Sequence, residues 1–308
     1  MRTDVEHRQR GGGAALRAGL AAVCALGLVA VPACAAADRD EGASGSGGPA
    51  QGMAEPLPLV RGDVPAVERE ELETVFSEAG VVGTLVLYDV RERTATVVDP
   101  EEARERAAPA ATFAVPHTLI ALQTGAVGDV DEVLTTGEPA ARRERAASLR
   151  EALPAADRDV YREVARRLGP ERTAAWLDRF DYGNRSVGGA EDAERFWREG
   201  PLEISALEQT SFLASLALGE LPVDTEHRLT IREVSAVEEG GDYTLYAVPE
   251  RAAGGDGPGW WVGWVERDEA LYTFALRVEA EEGKESPERL GRELLVRTEV
   301  LPPEAARN

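Results

Sequence analysis

Gly259-Trp260-Trp261-Val262-Gly263-Trp264-Val265-Glu266 is the stretch on which the fold turns. β-Branched and aromatic side chains suit a pleated surface. A strand is therefore predicted over Trp260 to Val265, with the indoles of Trp260, Trp261 and Trp264 as sheet core rather than a platform for carbohydrate. Tyr243 to Val248 before it and Leu271 to Val278 after it carry the same signature, and Pro287 to Thr298 predicts a closing helix. Towards the other end of the chain, Glu68 to Ala79 reads as a short polar helix, Val81 to Asp89 as a buried strand and Thr94 to Val98 as its hairpin partner. The middle is helical. Val160, Val164 and Leu168 recur every four residues up to Gly169-Pro170, and Ser205-Ala206-Leu207-Glu208 has capping-box spacing ahead of the apolar run Phe212 to Leu218. Strands from both ends of the chain around a block of helices predict an α+β fold: an antiparallel sheet flanked by helices, with an inserted helical region.

The 308 residues carry a formal net charge of −22. Such a surface repels phosphate backbones and anionic headgroups, so nucleic acid is excluded as a partner and surface charge cannot hold the chain to a membrane. One lysine, Lys284, occurs in the chain, within the polar stretch Glu281-Glu282-Gly283-Lys284-Glu285. Chemistry that needs an amine must use it or do without. Both cysteines, Cys24 and Cys34, precede the folded part, so no structural disulfide or thiol nucleophile is expected there. No two His or Cys residues have ligand spacing, and neither a metal site nor a cofactor is expected.

Arg2, Arg8, Arg10 and Arg17 precede an uncharged apolar run, Ala18 to Val31, which ends in Val31-Pro32-Ala33-Cys34. Basic residues ahead of a short apolar run predict a secretory signal over residues 1–34. Its end resembles a bacterial lipobox, which implies lipidation of Cys34 and attachment at the outer face of the cytoplasmic membrane through a lipid anchor. The alternative is simple cleavage and secretion. Residues 35–62, rich in Ala, Gly, Ser and Asp, read as a flexible tether, and 63–308 as the folded domain.

Several stretches, in order, are similar to the class D (oxacillinase-type) serine β-lactamases, a penicillin-binding, transpeptidase-like fold. They are Gly83-Thr84-Leu85-Val86-Leu87-Tyr88-Asp89, Pro109 to Pro116 with Leu119 to Gly125, Phe180-Asp181-Tyr182-Gly183-Asn184, Phe196-Trp197, Pro201 to Ala206 with Gln209, and Gly259 to Glu266. The resemblance runs from about residue 76 to residue 300. It implies a Ser-x-x-Lys nucleophile motif in the phrase Pro-Ala-Ser-Thr-Phe-Lys, and this chain reads Pro109-Ala110-Ala111-Thr112-Phe113-Ala114. The implied Ser-x-Val falls on Ala156-Asp157-Arg158, and the implied Lys-Thr-Gly on Val248-Pro249-Glu250. Tyr182-Gly183-Asn184 is retained.

In that family the motif serine attacks the lactam carbonyl, and the carbamylated lysine acts as general base. Ala111 and Ala114 offer methyl groups for both tasks. Thr112 is turned about 100° away by one helical step. His117 is expected to be a partly buried, hydrogen-bonded histidine rather than a substitute base, and His227 lies in a charged loop. The remaining pocket is read as Thr112, Phe113, Arg158, Tyr182, Gly183, Asn184 and Arg289, with Arg289 where the resemblance implies a grip on the substrate carboxylate. These losses predict a protein that is not an enzyme. It would be a catalytically inactive envelope protein of the β-lactamase fold, binding or regulating through a peptidoglycan fragment, a β-lactam or an envelope protein. The alternative is a divergent β-lactamase or penicillin-binding acyl enzyme.

Overall fold

A computed structural model describes residues 65–136, 145–248, 258–279 and 286–307. The leader with Cys34, the tether, Lys284, and Pro249 with Glu250 lie outside the described residues. The strands are β1 (Ala66–Glu68), β2 (Gly83–Asp89), β3 (Thr94–Val98), β4 (Leu134–Thr136), β5 (Arg145–Ala147), β6 (Ala236–Glu239), β7 (Tyr243–Val248), β8 (Gly259–Arg267) and β9 (Ala270–Val278). The helices are α1 (Glu70–Ala79), α2 (Ala114–Gln123), α3 (Leu149–Ala155), α4 (Arg158–Leu168), α5 (Pro170–Phe180), α6 (Ala206–Leu218), α7 (Thr225–Ser235) and α8 (Pro287–Arg297).

Among the described residues, a seven-stranded sheet runs in the order β1-β3-β2-β9-β8-β7-β6, and β4 pairs with β5 in a separate hairpin. The α+β architecture with an inserted helical block is as expected. One edge differs from the antiparallel sheet read from the sequence, because β1 pairs with β3 in parallel. A helix, not a hairpin, separates β1 from the β2–β3 pair, so its direction is set by where α1 begins.

The sheet is covered on both faces, which is why its strands read as near-continuous apolar runs. Val86, Tyr88, Tyr246, Val248, Trp260, Val262 and Trp264 pack with the inserted helices α2 to α7. Leu85, Leu87, Leu245, Trp261, Val265, Phe274 and Leu276 pack with α1, α8 and the C-terminal segment. The three indoles of β8 are thus core, two facing one way and one the other. The alternation of strand side chains decides which.

The helix signals act as read. Ser205 caps α6 with both bonds of a capping box, and Ser148 does the same for α3. Asp157 caps α4 by accepting from the amides of Asp159 and Val160. His227, expected in a loop, lies in the first turn of α7. That helix buries little more than Ile231 and Ser235, so its apolar stripe is too thin to stand out in the sequence.

Gly263 marks the tightest point of the sheet. A Cβ there would run into the Tyr246 carbonyl oxygen and crowd the Phe274 ring, which sits 2.9 Å from the added atom. We predict that Gly263→Ala destabilises the domain by about 2 kcal/mol or more. Urea titration of the purified variant beside the parent measures this.

Candidate active-site cleft

The segment that carries the altered motif is fixed mainly through its backbone. Arg277 of β9, itself buried, donates to the carbonyls of Glu105 at 2.7 Å and Glu102 at 3.0 Å and pairs with the Glu102 carboxylate. Ala107 and Ile204 exchange backbone hydrogen bonds of 3.0 and 2.8 Å. The Trp260 indole donates to the Ala108 carbonyl at 2.9 Å, and the Ala110 amide donates to the Trp197 carbonyl at 2.8 Å. These contacts hold Ala110 at a φ of 49°, a left-handed conformation that costs a non-glycine residue roughly 1–2 kcal/mol. A 3-10 turn, Ala110–Phe113, then runs straight into α2.

Ala111 on this turn and Ala114 at the start of α2 are buried, with only their methyl groups to offer. Thr112 carries the hydroxyl adjacent to Ala111 in the chain. It donates to the Pro109 carbonyl at 2.7 Å and accepts from the Gln209 amide at 2.6 Å. Gln209 in turn accepts from the Tyr182 hydroxyl at 3.4 Å. The Thr112 proton is therefore committed to a carbonyl rather than a base, and its oxygen is enclosed. Thr112 is a structural link, not a replacement nucleophile. Burial pushes the Tyr182 phenol up, against the opposing pull of its bonds to Thr112 and Gln209, so it stays a neutral donor. Gln209 is the member of this chain whose role the sequence reading missed. A glutamine buried on an otherwise apolar helix face is the signal that marks it.

The retained Tyr182-Gly183-Asn184 turn satisfies local backbone groups. Gly183 has a φ of 54°, and a Cβ there would collide with the Glu203 carbonyl oxygen. Asn184 donates its side-chain amide to the Pro201 carbonyl at 2.7 Å and accepts from the amides of Ser186 and Glu203 at 3.1 Å each. Phe113 joins Tyr182 to the aromatic cluster below, at ring separations of 5.7 Å from Tyr182, 5.3 Å from Phe196 and 6.0 Å from Trp197.

The other motif positions are spread around this core. Ala156 is the left-handed cap of α3, at a φ of 45°. Arg158 begins α4, and its half-exposed guanidinium pairs with Glu199 at 2.9 Å, so its charge is offset. Val248, the last residue of β7, is buried in the same cluster as Ala114. Arg289 stands exposed in the first turn of α8, on the helix that covers the other face of the sheet. The structure thus brings together Ala111, Thr112, Phe113, Ala114 and Tyr182, while Arg289 lies on a helix that packs on the other face of the sheet.

His117 departs from its expected setting. It is fully buried, and neither ring nitrogen has a hydrogen-bond partner among the described residues. Phe113, Trp197 and Tyr161 surround it, with ring centroids 4.9, 5.2 and 5.7 Å away. The aromatic side chains come from three separate segments, which single-helix spacing does not reveal. Burial depresses its pKa to about 3 from the ordinary 6.5.

A two-faced sheet with an inserted helical block is the α+β architecture of the penicillin-binding, transpeptidase-like fold. The penicillin binding protein transpeptidase domain model matches residues 83–224. The chain is 35% identical over 251 residues to β-lactamase OXA-15 of Pseudomonas aeruginosa, covering 79% of this chain and 89% of that protein. It is 34% identical over 251 residues to β-lactamase OXA-2 of Salmonella typhimurium, again covering 79% and 89%. The crystal structure of FUS-1 (OXA-85), a class D β-lactamase from Fusobacterium nucleatum subsp. polymorphum, superposes with a TM-score of 0.71 at 30% identity, covering 76% of this chain and 100% of that one. The chain belongs to the class D β-lactamase family.

These relatives correct one expectation. The missing serine and lysine led to the reading that the chain is not an enzyme, and similarity to named β-lactamases across most of the chain overturns it. The methyl groups at 111 and 114 exclude one chemical route, through side chains at those positions. They do not exclude others.

The His117 setting gives a pH prediction. Between pH 6.5 and 3 the unfolded chain binds a proton that the native imidazole refuses, so this contribution to stability is whole above pH 6.5 and is lost as pH falls towards 3. Between pH 7.5 and 5 the difference is about 2 kcal/mol. Denaturant titrations at both pH values should show His117→Leu losing that much less stability than the parent.

Proposed function

We propose that this chain is an exported, divergent β-lactamase that takes β-lactams in the cleft over Ala111 and opens their ring without forming an ester at that position. One observation carries the reading: the family scaffold extends over most of the chain, with the backbone of the motif turn held in place, while positions 111 and 114 lack an oxygen and an amine. The route we propose is direct hydrolysis. The oxygen of a water bonds to the lactam carbonyl carbon, the carbon–nitrogen bond breaks, and one water proton passes to the departing nitrogen. Nothing becomes attached to the protein. The burial of Ala111 and Ala114 favours a neutral nucleophile over an ionised side chain.

The transpeptidase-domain match supports a second ligand for the same cleft, a peptidoglycan fragment. The basic residues, apolar run and terminal Val31-Pro32-Ala33-Cys34 support export with a lipid on Cys34. Expressed in a bacterial host, the parent should label with an alkyne fatty acid and sediment with membranes, while Cys34→Ser should do neither.

The function is tested with a chromogenic cephalosporin and intact-protein mass spectrometry. The parent should turn the substrate over above a heat-killed control with no added mass. The Ala111→Ser/Ala114→Lys double variant should gain one ligand mass. A covalent adduct on the parent, or no turnover by it, would refute the proposal.

A further inference from the structure

His117 lies one turn beyond Ala114 on α2, so the two share a helix face. Its imidazole is enclosed, and both nitrogens lack a protein partner among the described residues. The neighbours that enclose it present carbon. Phe113 lies 4.9 Å away, Trp197 5.2 Å, Tyr161 5.7 Å in a stacked arrangement, and Phe196 6.3 Å. The hydroxyl of the stacked Tyr161 is already used, since it shares a 2.8 Å bond with Thr118.

An unpaired buried donor or acceptor is costly, and native interiors almost always pair such groups with protein or with water. A neutral imidazole has one donor and one acceptor, and water can answer either. The position one turn back on the same face is occupied by a methyl group, and Ala111 one turn further offers another. Both are among the smallest side chains that could stand on the helix face the ring shares.

We infer that His117 binds a buried water in the space beside the Ala114 methyl, and that this water is the one delivered to the cleft at Ala111. His117 is a positioning residue: it orients the water through a hydrogen bond and remains neutral, in keeping with its burial. The delivery step rests on the direct hydrolysis proposed above. The binding of water does not.

The test uses the purified full chain. In a high-resolution crystal structure, an ordered water should lie about 2.7–3.2 Å from Nδ1 or Nε2 of His117. Nuclear Overhauser contacts from the ring protons to bulk-exchanging water should accompany it. Both should vanish in His117→Leu and the water should persist in His117→Gln. With a chromogenic cephalosporin, His117→Leu should lower kcat by about tenfold or more with KM nearly unchanged, and His117→Gln should recover part of the loss. A dry imidazole, or one bonded to a protein atom, overturns the inference. A bound water with kcat unaltered in His117→Leu overturns the delivery role. A bound water in a parent that turns over no substrate supports the water site and overturns the proposed function instead.

Discussion

The backbone hydrogen bonds that seat residues 102–114 against the sheet and the 196–204 segment are the constraint on which the cleft depends. Arg277, Trp260, Trp197 and Ile204 all bind carbonyls or amides of that segment, and Arg277 adds a pair with the Glu102 carboxylate. A scaffold held in this way tolerates methyl groups at 111 and 114, because no fold-forming bond is routed through the atoms that are missing. The positive φ of Ala110 survives for the same reason, since the anchors on either side over-determine it.

Beneath that seat, two buried polar sites have opposite characters. Thr112, Gln209 and Tyr182 form a chain in which each member satisfies the next and the end is closed on the Pro109 carbonyl. Such a network fixes side-chain positions, and its geometry ties α6 to the motif turn. His117 has no such closure among the described residues. Its aromatic surroundings stabilise the neutral ring and resist a proton, so the same burial that makes it a poor base makes it a steady hydrogen-bonding group at ordinary pH.

The charged surface follows a different rule. Arginines pair with carboxylates over much of the exterior, as with Arg150 to Asp131 and Glu233 or Arg167 to Glu132 and Glu163. Exposed pairs of this kind contribute little each. Buried Arg277 and Arg292 differ, because losing either partner would leave a charge inside the protein. Arg158 with Glu199 is another of the half-exposed pairs.

The strand and helix pattern was legible in the chain alone, because alternation, capping residues and Gly-Pro breaks act over a few neighbouring positions. Thr94–Val98 and Tyr243–Val248 coincide with their expected ranges, and the capping box at Ser205 forms as its spacing indicates. The absence of an oxygen at 111 and an amine at 114 was equally a property of the chain. What only the tertiary structure decided depends on residues far apart along it. Gln209 reaches Thr112 across 97 residues, Trp260 reaches Ala108 across 152, and Arg277 reaches Glu105 across 172. The parallel β1 edge, the enclosure of His117 by rings from separate segments, and the separation of Arg289 from the motif turn belong to the same class. No local spacing encodes which distant partner a buried polar group will meet, since that is settled by how the helical block packs on the sheet.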